Sequence, residues 1–346
     1  MAPFHWRHRG KQKMTVRFGL LGAGRIGKVH AKAVTGDANA RLVAVADAVP
    51  EAAQALADHY GCAVRTIEAI EAADDIDAVV ICTPTDTHAD LIEHFVKAGK
   101  AVFCEKPIDL SLARVKSCLD VVRAHEGTLM VGFNRRFDPH FRAVRAEIDK
   151  GSIGDVEMVV ITSRDPGAPP VDYIRRSGGI FRDMTIHDFD MARFLLGEEV
   201  TEVVATAAVL VDPAIGAAGD FDSVQVLLKT ASGRQAMISN SRRATYGYDQ
   251  RIEVHGSKGM VAAENQRPVS IELASSAGYT RPPLHDFFMT RYTEAYAAEI
   301  AAFIAALAGK GRAEPSGEDG LIALALAEAA LKSVAEGRVV KVSETL

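Results

Sequence analysis

Residues 22–27 read GAGRIG, and this hexapeptide decides the fold of the first half of the chain. It follows a short apolar run, residues 16–21, and opens a segment with helical spacing. In a turn from a strand into a helix, Gly22 permits the tight bend and Gly24 lets the backbone approach a pyrophosphate. Gly27 lets the helix and the strand pack closely. The hexapeptide therefore predicts a dinucleotide-binding turn.

The residues around this turn favour NAD as the dinucleotide. We expect Arg25 and Ile26 to contact the cofactor, since the turn opens a helix whose N-terminal N–H groups and dipole attract phosphate. Asp47 ends the second predicted strand, 20 residues after Gly27. A carboxylate at that place accepts hydrogen bonds from a ribose 2′-OH and repels a 2′-phosphate. Ala48 follows it, so no arginine stands there to hold NADP. The alternative is a glycine turn that binds no nucleotide.

Strands and helices alternate as far as about residue 135. Short apolar strands separated by helical segments of about 10–15 residues are typical of βαβ units in a doubly wound parallel sheet. The predicted strands are residues 16–21, 42–46, 78–82, 101–104 and 128–132. We therefore predict an α/β fold whose N-terminal Rossmann domain covers residues 14–134. We expect residues 1–13 to be a flexible basic extension.

The pattern changes in the second half of the chain. Several strand-like stretches are joined by turn dipeptides such as Ser232-Gly233 and Gly256-Ser257, which favours antiparallel pairing. A helix is predicted over residues 183–196, and two Ala-rich helical stretches end the chain. We predict a substrate-binding and oligomerisation domain of the α+β class over residues 135–346. Its large, mostly antiparallel open sheet leaves one face to be covered by self-association.

The composition excludes several classes of function. Apolar residues make up 48% of the 346 residues, and 40 Lys and Arg stand against 45 Asp and Glu, for a net charge of −5. This mildly acidic balance predicts no nucleic-acid surface. No apolar run reaches the roughly 18 residues that a membrane span needs, so we expect no membrane partner. The four cysteines lie far apart without a C-x-x-C pair, which favours reduced thiols and a cytoplasmic location.

Polar residues follow the third of the predicted strands. The stretch 82–88 reads CTPTDTH. Ligands bind outside the carboxyl ends of the strands in open α/β sheets, so we expect Thr83, Pro84 and Thr85 to contact the cofactor. His88 either contacts the cofactor as well or caps the next helix.

A lysine follows the next strand. Residues 104–107 read CEKP and place Glu105 and Lys106 at the same edge of the sheet, where we expect both to contact the cofactor. A cation there orients a substrate hydroxyl and stabilises the alkoxide that forms as hydride leaves. The alternative for Lys106 is a solvated surface position.

The stretch 178–190, GGIFRDMTIHDFD, carries a third polar group. Asp183 and His187 are four residues apart, so they share one face of the predicted helix. The carboxylate can then fix the tautomer of the imidazole and stabilise its charged form. His187 is therefore a candidate general base for an alcohol proton. An ordinary helix-surface pair and a metal site are the alternatives, and we predict no metal because a second ligand motif is missing.

These motifs resemble those of the glucose–fructose oxidoreductase/inositol dehydrogenase (Gfo/Idh/MocA) family. GAGRIG, EKP at 105–107 and D-x-x-x-H at 183–187 occur in the order and spacing of the family, and the resemblance extends from residue 16 to the C-terminus. Three further stretches are similar to the bacterial inositol 2-dehydrogenases of the family: residues 133–138, 172–179 and 246–251.

The resemblance implies oxidation of myo-inositol by NAD to 2-keto-myo-inositol (scyllo-inosose) in inositol catabolism. The catalytic lysine, aspartate and histidine of the family fall on Lys106, Asp183 and His187, and either Lys106 or His187 moves the proton. The same three residues are implied to contact the substrate. The other implied substrate contacts are Arg136, Asp165, Tyr246 and Tyr248. Members of the family are commonly tetramers joined through the open sheet, so a homotetramer is implied.

Two other functions stay open at this point. The substrate of an enzyme with the same motifs could be scyllo-inositol, D-chiro-inositol or glucose. A sensor that binds NAD without turnover would keep the glycine turn, but the complete set of Lys106, Asp183 and His187 argues against it. A zinc-dependent alcohol dehydrogenase is disfavoured for lack of a ligand motif.

Overall fold

The computed structural model describes residues 15–346, which divide into two compact units. The first unit contains residues 15–133 and 296–321, and the second contains residues 134–295 and 322–346. The predicted extension over residues 1–13 lies outside the described residues. No helix within residues 15–346 has both the length and the apolar character needed to cross a membrane.

The first unit contains a sheet of six parallel strands. The strands are β1 (Val16–Leu21), β2 (Ala40–Ala46), β3 (Ala63–Val64), β4 (Ala78–Ile81), β5 (Ala101–Glu105) and β6 (Leu129–Gly132). Their order is β3-β2-β1-β4-β5-β6, and every neighbouring pair is parallel. The direction of winding reverses between β1 and β4, which confirms the predicted doubly wound sheet. The short β3 was not predicted.

Helices connect these strands. They are α1 (Arg25–Gly36), α2 (Pro50–Tyr60), α3 (Ile67–Glu71), α4 (His88–Lys97) and α5 (Leu112–Ala124). Pro50 stands in the first turn of α2, where its missing N–H is not needed. Every residue of β4 and β5 is buried, as expected for central strands of a parallel sheet covered on both faces.

The second unit contains a mixed sheet of seven strands. The strands of this part of the chain are β7 (Val156–Arg164), β8 (Val200–Ala208), β9 (Ser223–Thr230), β10 (Gln235–Ser241), β11 (Asp249–Gly256), β12 (Gly259–Ala263), the hairpin β13 (Leu273–Ser275) and β14 (Gly278–Thr280), and β15 (Val340–Lys341). The sheet order is β12-β11-β7-β10-β9-β8-β15, and only the β7–β10 pair is parallel. This confirms the predicted, mostly antiparallel sheet.

The two faces of this sheet differ. Buried and exposed residues alternate along β9 and β10, so one face carries the core and the other faces away from it. The exposed face includes large apolar side chains, among them Met158, Leu227 and Met237.

The remaining helices begin with α6. They are α6 (Pro139–Asp149), α7 (Val171–Ser177), α8 (Ile186–Leu196), α9 (Pro213–Ala217), α10 (Phe288–Arg291), α11 (Thr293–Leu307) and α12 (Gly317–Glu336). Helix α8 packs against β7 and β10 on the core face of the sheet. Asp138 caps α6, since its carboxylate accepts hydrogen bonds from the backbone N–H groups of His140 and Phe141.

Candidate active site

The glycine turn between β1 and α1 is closely packed at Gly22 and Gly27 and open at Gly24. Gly22 has a φ of +98°, and a Cβ there would lie 2.6 Å from the carbonyl oxygen of Cys82. A Cβ at Gly27 would lie 1.9 Å from the carbonyl oxygen of Gly22. A Cβ at Gly24 would meet no atom within 4 Å. The turn therefore has the close packing and the open backbone approach that a dinucleotide pyrophosphate requires.

Asp47 lies beside this turn, immediately after β2. Its carboxylate accepts hydrogen bonds from the backbone N–H of Ala23 at 2.5 Å and from that of Val49 at 2.7 Å. A carboxylate has about four acceptor positions, so the two backbone bonds leave capacity for ribose hydroxyls. Arg25 is exposed and Ile26 is half-buried in the first turn of α1. The backbone N–H groups of the turn and the carboxylate of Asp47 together fit a dinucleotide.

His88 joins the loops that follow β4 and β5. It is buried, and its two ring nitrogens lie 2.8 Å from the carbonyl oxygens of Thr83 and Pro107. Burial lowers the pKa of His88, while the two carbonyl contacts oppose this shift. Pro84 precedes the short helical turn Thr85–Thr87, which leads from β4 into α4. His88 thus connects the loop after β4 with the segment after β5 that carries Lys106.

Glu105 takes part in a buried cluster with His30 and Glu299. His30 Nε2 lies 2.6 Å from Glu105 Oε1 and 4.0 Å from Glu299 Oε1. Burial raises the pKa of Glu299 well above its usual range, and Glu105 adds to the shift. Within residues 15–346 this is the one cluster of three or more His, Cys, Asp or Glu side chains with the spacing of metal ligands. However, 2.6 Å is a hydrogen-bond distance, shorter than the roughly 3 Å that separates two ligands of one zinc ion.

Lys106 follows Glu105 and is half-buried. The glycine turn, Asp47 and Lys106 come directly after β1, β2 and β5, and Thr83 lies two residues after β4. Because the carboxyl ends of parallel strands meet at one edge, the sheet brings these predicted residues together along that edge.

The second unit holds Asp183 and His187. The predicted helix over residues 183–196 is not regular at its start: residues 181–185 form a π-helical segment, and α8 begins only at Ile186. A π turn holds slightly more than four residues, so two residues four apart still lie on nearly the same side of it, and the expectation that Asp183 and His187 share one face stays a prediction. Periodicity cannot reveal such a turn, which is frequent at functional sites.

Tyr173 and Arg242, which lie outside this helix, both approach the carboxylate of Asp183. Its Oδ1 accepts a hydrogen bond from the Tyr173 hydroxyl at 2.9 Å. Its Oδ2 lies 3.6 Å from Nη2 of Arg242, whose guanidinium is also 3.8 Å from Asp220 Oδ2. Arg242 was not predicted from the sequence. The signal that identifies it is the alternation of β10, which continues beyond Ser241 and places residue 242 on the buried face.

Asp165 follows β7 and belongs to the same group of charges. Burial raises the pKa of Asp165 to about 6, with Arg242 lowering it and Asp183 raising it. The structure thus brings two predicted residues, Asp165 and Asp183, into one electrostatic group with the unpredicted Arg242.

The other predicted substrate residues differ in exposure. Arg136 donates two hydrogen bonds to the carboxylate of buried Asp190, at 2.8 and 2.6 Å. Tyr246 is half exposed, and its hydroxyl donates to Asp249 at 2.6 Å. Tyr248 is buried, with its ring 6.0 Å from that of Tyr292. Of the two tyrosines, Tyr246 is therefore the one that a small molecule can reach.

A second buried ion pair supports this region. Arg135 donates a short hydrogen bond to Asp188, whose other oxygen accepts one from Asn240 at 2.8 Å. Thr185, the last residue of the π-helical segment, donates to Asn240 at 2.7 Å. The segment that carries Asp183 is thereby connected to both β10 and α8.

Comparison with known proteins agrees with this architecture. A family model described as an oxidoreductase family with an NAD-binding Rossmann fold matches residues 16–133. A second model, described as the GFO/IDH/MocA C-terminal domain, matches residues 141–262.

Individual relatives match over most of the chain. An inositol 2-dehydrogenase of Rhizobium meliloti is 77% identical over 330 residues, which cover 95% of this chain and 100% of the relative. The crystal structure of a myo-inositol dehydrogenase from Corynebacterium glutamicum matches with a TM-score of 0.91 at 45% identity, over 95% of this chain and 99% of that one. A scyllo-inositol dehydrogenase from Lactobacillus casei, solved with bound NAD(H) and scyllo-inositol, matches with a TM-score of 0.88 at 29% identity, over 95% of this chain and 99% of that one. The chain therefore belongs to the Gfo/Idh/MocA family of oxidoreductases.

Proposed function

We propose that this protein is an NAD-dependent inositol 2-dehydrogenase that oxidises myo-inositol to 2-keto-myo-inositol. The observation that carries the substrate assignment is the full-length similarity to an inositol 2-dehydrogenase. Lys106, Asp183 and His187 are all present, which supports a catalytic protein over a sensor that only binds NAD.

The cofactor would be held by the carboxyl edge of the parallel sheet. The open backbone at Gly24 and the N-terminus of α1 would receive the phosphates. The acceptor capacity that remains on Asp47 favours a free ribose 2′-OH over a 2′-phosphate, and thus NAD over NADP. When bound, NAD supplies the hydride acceptor, and the protein supplies orientation and charge.

The acid–base work falls to three side chains of this chain. We assign the removal of the hydroxyl proton to His187, with Asp183 stabilising the imidazolium that results. Lys106 offsets the negative charge that develops on the substrate oxygen. The further substrate contacts in this proposal are Arg136, Asp165 and Tyr246, whereas Tyr248 is part of the buried core.

We also propose that the protein is a homotetramer joined through the exposed face of the second sheet. Leu227 and Met237 are directly opposite each other on β9 and β10 and are 54% and 41% exposed. Apolar side chains at the centre of an open sheet are typical of a surface that another subunit covers. Light scattering on the purified protein measures the mass of the oligomer directly.

The first experiment measures initial rates of NADH formation with four substrates. Myo-inositol, scyllo-inositol, D-chiro-inositol and glucose are each supplied with NAD and with NADP at mildly alkaline pH. We expect the highest rate with myo-inositol and NAD. A higher rate with another polyol would contradict the substrate assignment but keep the reaction class. Binding of NAD without turnover of any polyol would favour a sensor.

The role of His187 can be tested by substitution. We expect His187→Ala to lower kcat by about 10²–10⁴-fold, because a positioned general base contributes that much. Binding of NAD should change little. His59→Ala, at an exposed position of α2, is the matched control. Near-normal turnover of His187→Ala with an unchanged pH profile would show that another group, such as Lys106, removes the proton.

A further inference from the structure

Arg242 occupies a buried position directly after β10. Its side chain is 1% exposed, and it continues the row of buried residues at 236, 238 and 240. A guanidinium keeps its charge in proteins, so its burial requires acidic neighbours.

The guanidinium lies among three carboxylates without a close pairing to any of them. Its Nη2 is 3.6 Å from Asp183 and 3.8 Å from Asp220, and its charge also acts on Asp165. Among the described residues, Nε and Nη2 have no hydrogen-bond partner. This differs from the nearby Arg136, which forms a two-bond pair with a single aspartate. Arg242 therefore acts on the group mainly through its charge.

Asp220 links this charge to the backbone just before Asp183. Both of its carboxylate oxygens accept from the N–H of Ile180, at 3.0 Å each. A Cβ at Gly179 would lie 2.5 Å from Asp220 Oδ1, so the carboxylate packs directly on this turn. The pair of Arg242 and Asp220 thus fixes the chain at the start of the π-helical segment.

We propose that Arg242 is a positioning residue that holds Asp183 in its ionised, oriented form and, by its charge, lowers the proton affinity of Asp183 and His187 together. The proposal rests on the proposed function, in which Asp183 stabilises the His187 imidazolium. Asp183 has Asp165 and Asp220 as acidic neighbours, and both disfavour a further negative charge. The positive charge of Arg242, 3.6 Å from Asp183, offsets them.

Other charged and polar groups also face this set, and their signs matter for any pH dependence. Asp165 is influenced by Arg135 and Asp188 as well as by Arg242 and Asp183. Tyr173 donates its hydroxyl hydrogen to Asp183. Removal of the Arg242 charge makes proton binding easier at every neighbouring site, so Asp183 and His187 should both titrate at higher pH.

The test compares Arg242→Gln with Arg243→Gln. Arg243 is the exposed neighbour, whose Nη2 donates to the carbonyl oxygen of Leu210 at 3.2 Å. The first readout is the His187 titration in NMR spectra of protein labelled at histidine Cε1, with the signal assigned by its absence in His187→Gln. The second is the acidic limb of the pH profile of kcat.

We expect Arg242→Gln to move both readouts upward by about 1 pH unit and Arg243→Gln to move neither. Arg242→Lys keeps the charge and should restore the wild-type titration. If Arg242→Gln folds and leaves the His187 titration in place, or if Arg243→Gln shifts it equally, the proposal is wrong.

A second variant covers the case in which Arg242→Gln does not fold. Asp220→Asn removes a negative charge from the other side of Arg242, so the His187 titration should move to lower pH. An unchanged titration in this variant would also overturn the proposal. The NMR measurement needs neither substrate nor cofactor. Failure of wild-type protein to oxidise any polyol would therefore refute the proposed function while leaving Arg242 testable.

Discussion

The two units place their polar residues by different physical means. In the first unit, backbone geometry determines the candidate cofactor edge. The chain bends at Gly22, the backbone packs closely against Gly27, and the carboxyl ends of the parallel strands meet at one edge of the sheet. In the second unit, buried charge pairs such as Arg135–Asp188 and Arg136–Asp190 determine where side chains lie.

This difference explains which substitutions each unit tolerates. A backbone turn is encoded within a few adjacent residues and fails when a single methyl group is added in the wrong place. A charge network is encoded by residues far apart, such as Arg135 and Asp188, which are 53 positions apart in the chain. It fails when one partner is lost and the other stays buried.

The largest effect should come from the glycine turn. In Gly27→Ala, the new Cβ would lie 1.9 Å from a backbone oxygen, so β1 and α1 must separate. We expect a loss of more than about 3 kcal/mol in the free energy of unfolding, or no folded protein. Urea denaturation followed by circular dichroism measures this change.

Gly24→Ala is the matched variant for this turn. Its φ of −69° is allowed for alanine, and its Cβ meets no atom within 4 Å. We expect stability within about 0.5 kcal/mol of wild type and weaker NAD binding, because the methyl group occupies the open side of the turn. Equal stability of the two variants would contradict the view that packing at Gly27 holds the turn together.

The next largest effect should come from Asp188→Asn in the second unit. The substitution leaves the buried charge of Arg135 without its partner, and breaking a buried pair in this way costs about 3–5 kcal/mol. Asp149→Asn is the control, since Asp149 pairs with Arg145 on the surface of α6 and such pairs contribute little. A change below about 1 kcal/mol for Asp188→Asn, measured by urea denaturation, would show that the network does not stabilise this unit.

The sequence predicts the first unit well because its signals are local. The GAGRIG hexapeptide, Asp47 at the end of β2 and the apolar strands β4 and β5 each follow from a few neighbouring residues. His88 is the exception. The sequence does not decide whether His88 caps a helix or contacts the cofactor, and in the structure both of its ring nitrogens contact backbone carbonyl oxygens.

The second unit is less predictable because its key contacts are distant in sequence. The open antiparallel sheet follows from alternation and turn residues, but the π-helical segment around Asp183 has no periodic signature. Arg242 and Arg243 are identical residue types, and only the alternation of β10 distinguishes the buried one from the exposed one. The residues that Arg242 faces come from three other segments of the chain.

The smallest effect concerns Asp165, whose ionised carboxylate destabilises the folded second unit. Burial raises the pKa of Asp165 to about 6 from an ordinary value of 3.8. A carboxyl with a raised pKa stabilises the folded state below pH 3.8, and this contribution is lost as the pH rises through about 6. The full shift corresponds to about 3 kcal/mol, an upper limit at pH 8. Asp165→Asn should therefore gain stability relative to wild type between pH 5 and pH 8, whereas Asp149→Asn should not. The urea midpoints of the two proteins at pH 5 and pH 8 measure this difference. If the midpoints of Asp165→Asn and wild type change in parallel with pH, Arg242 and Arg135 already balance the charge of Asp165.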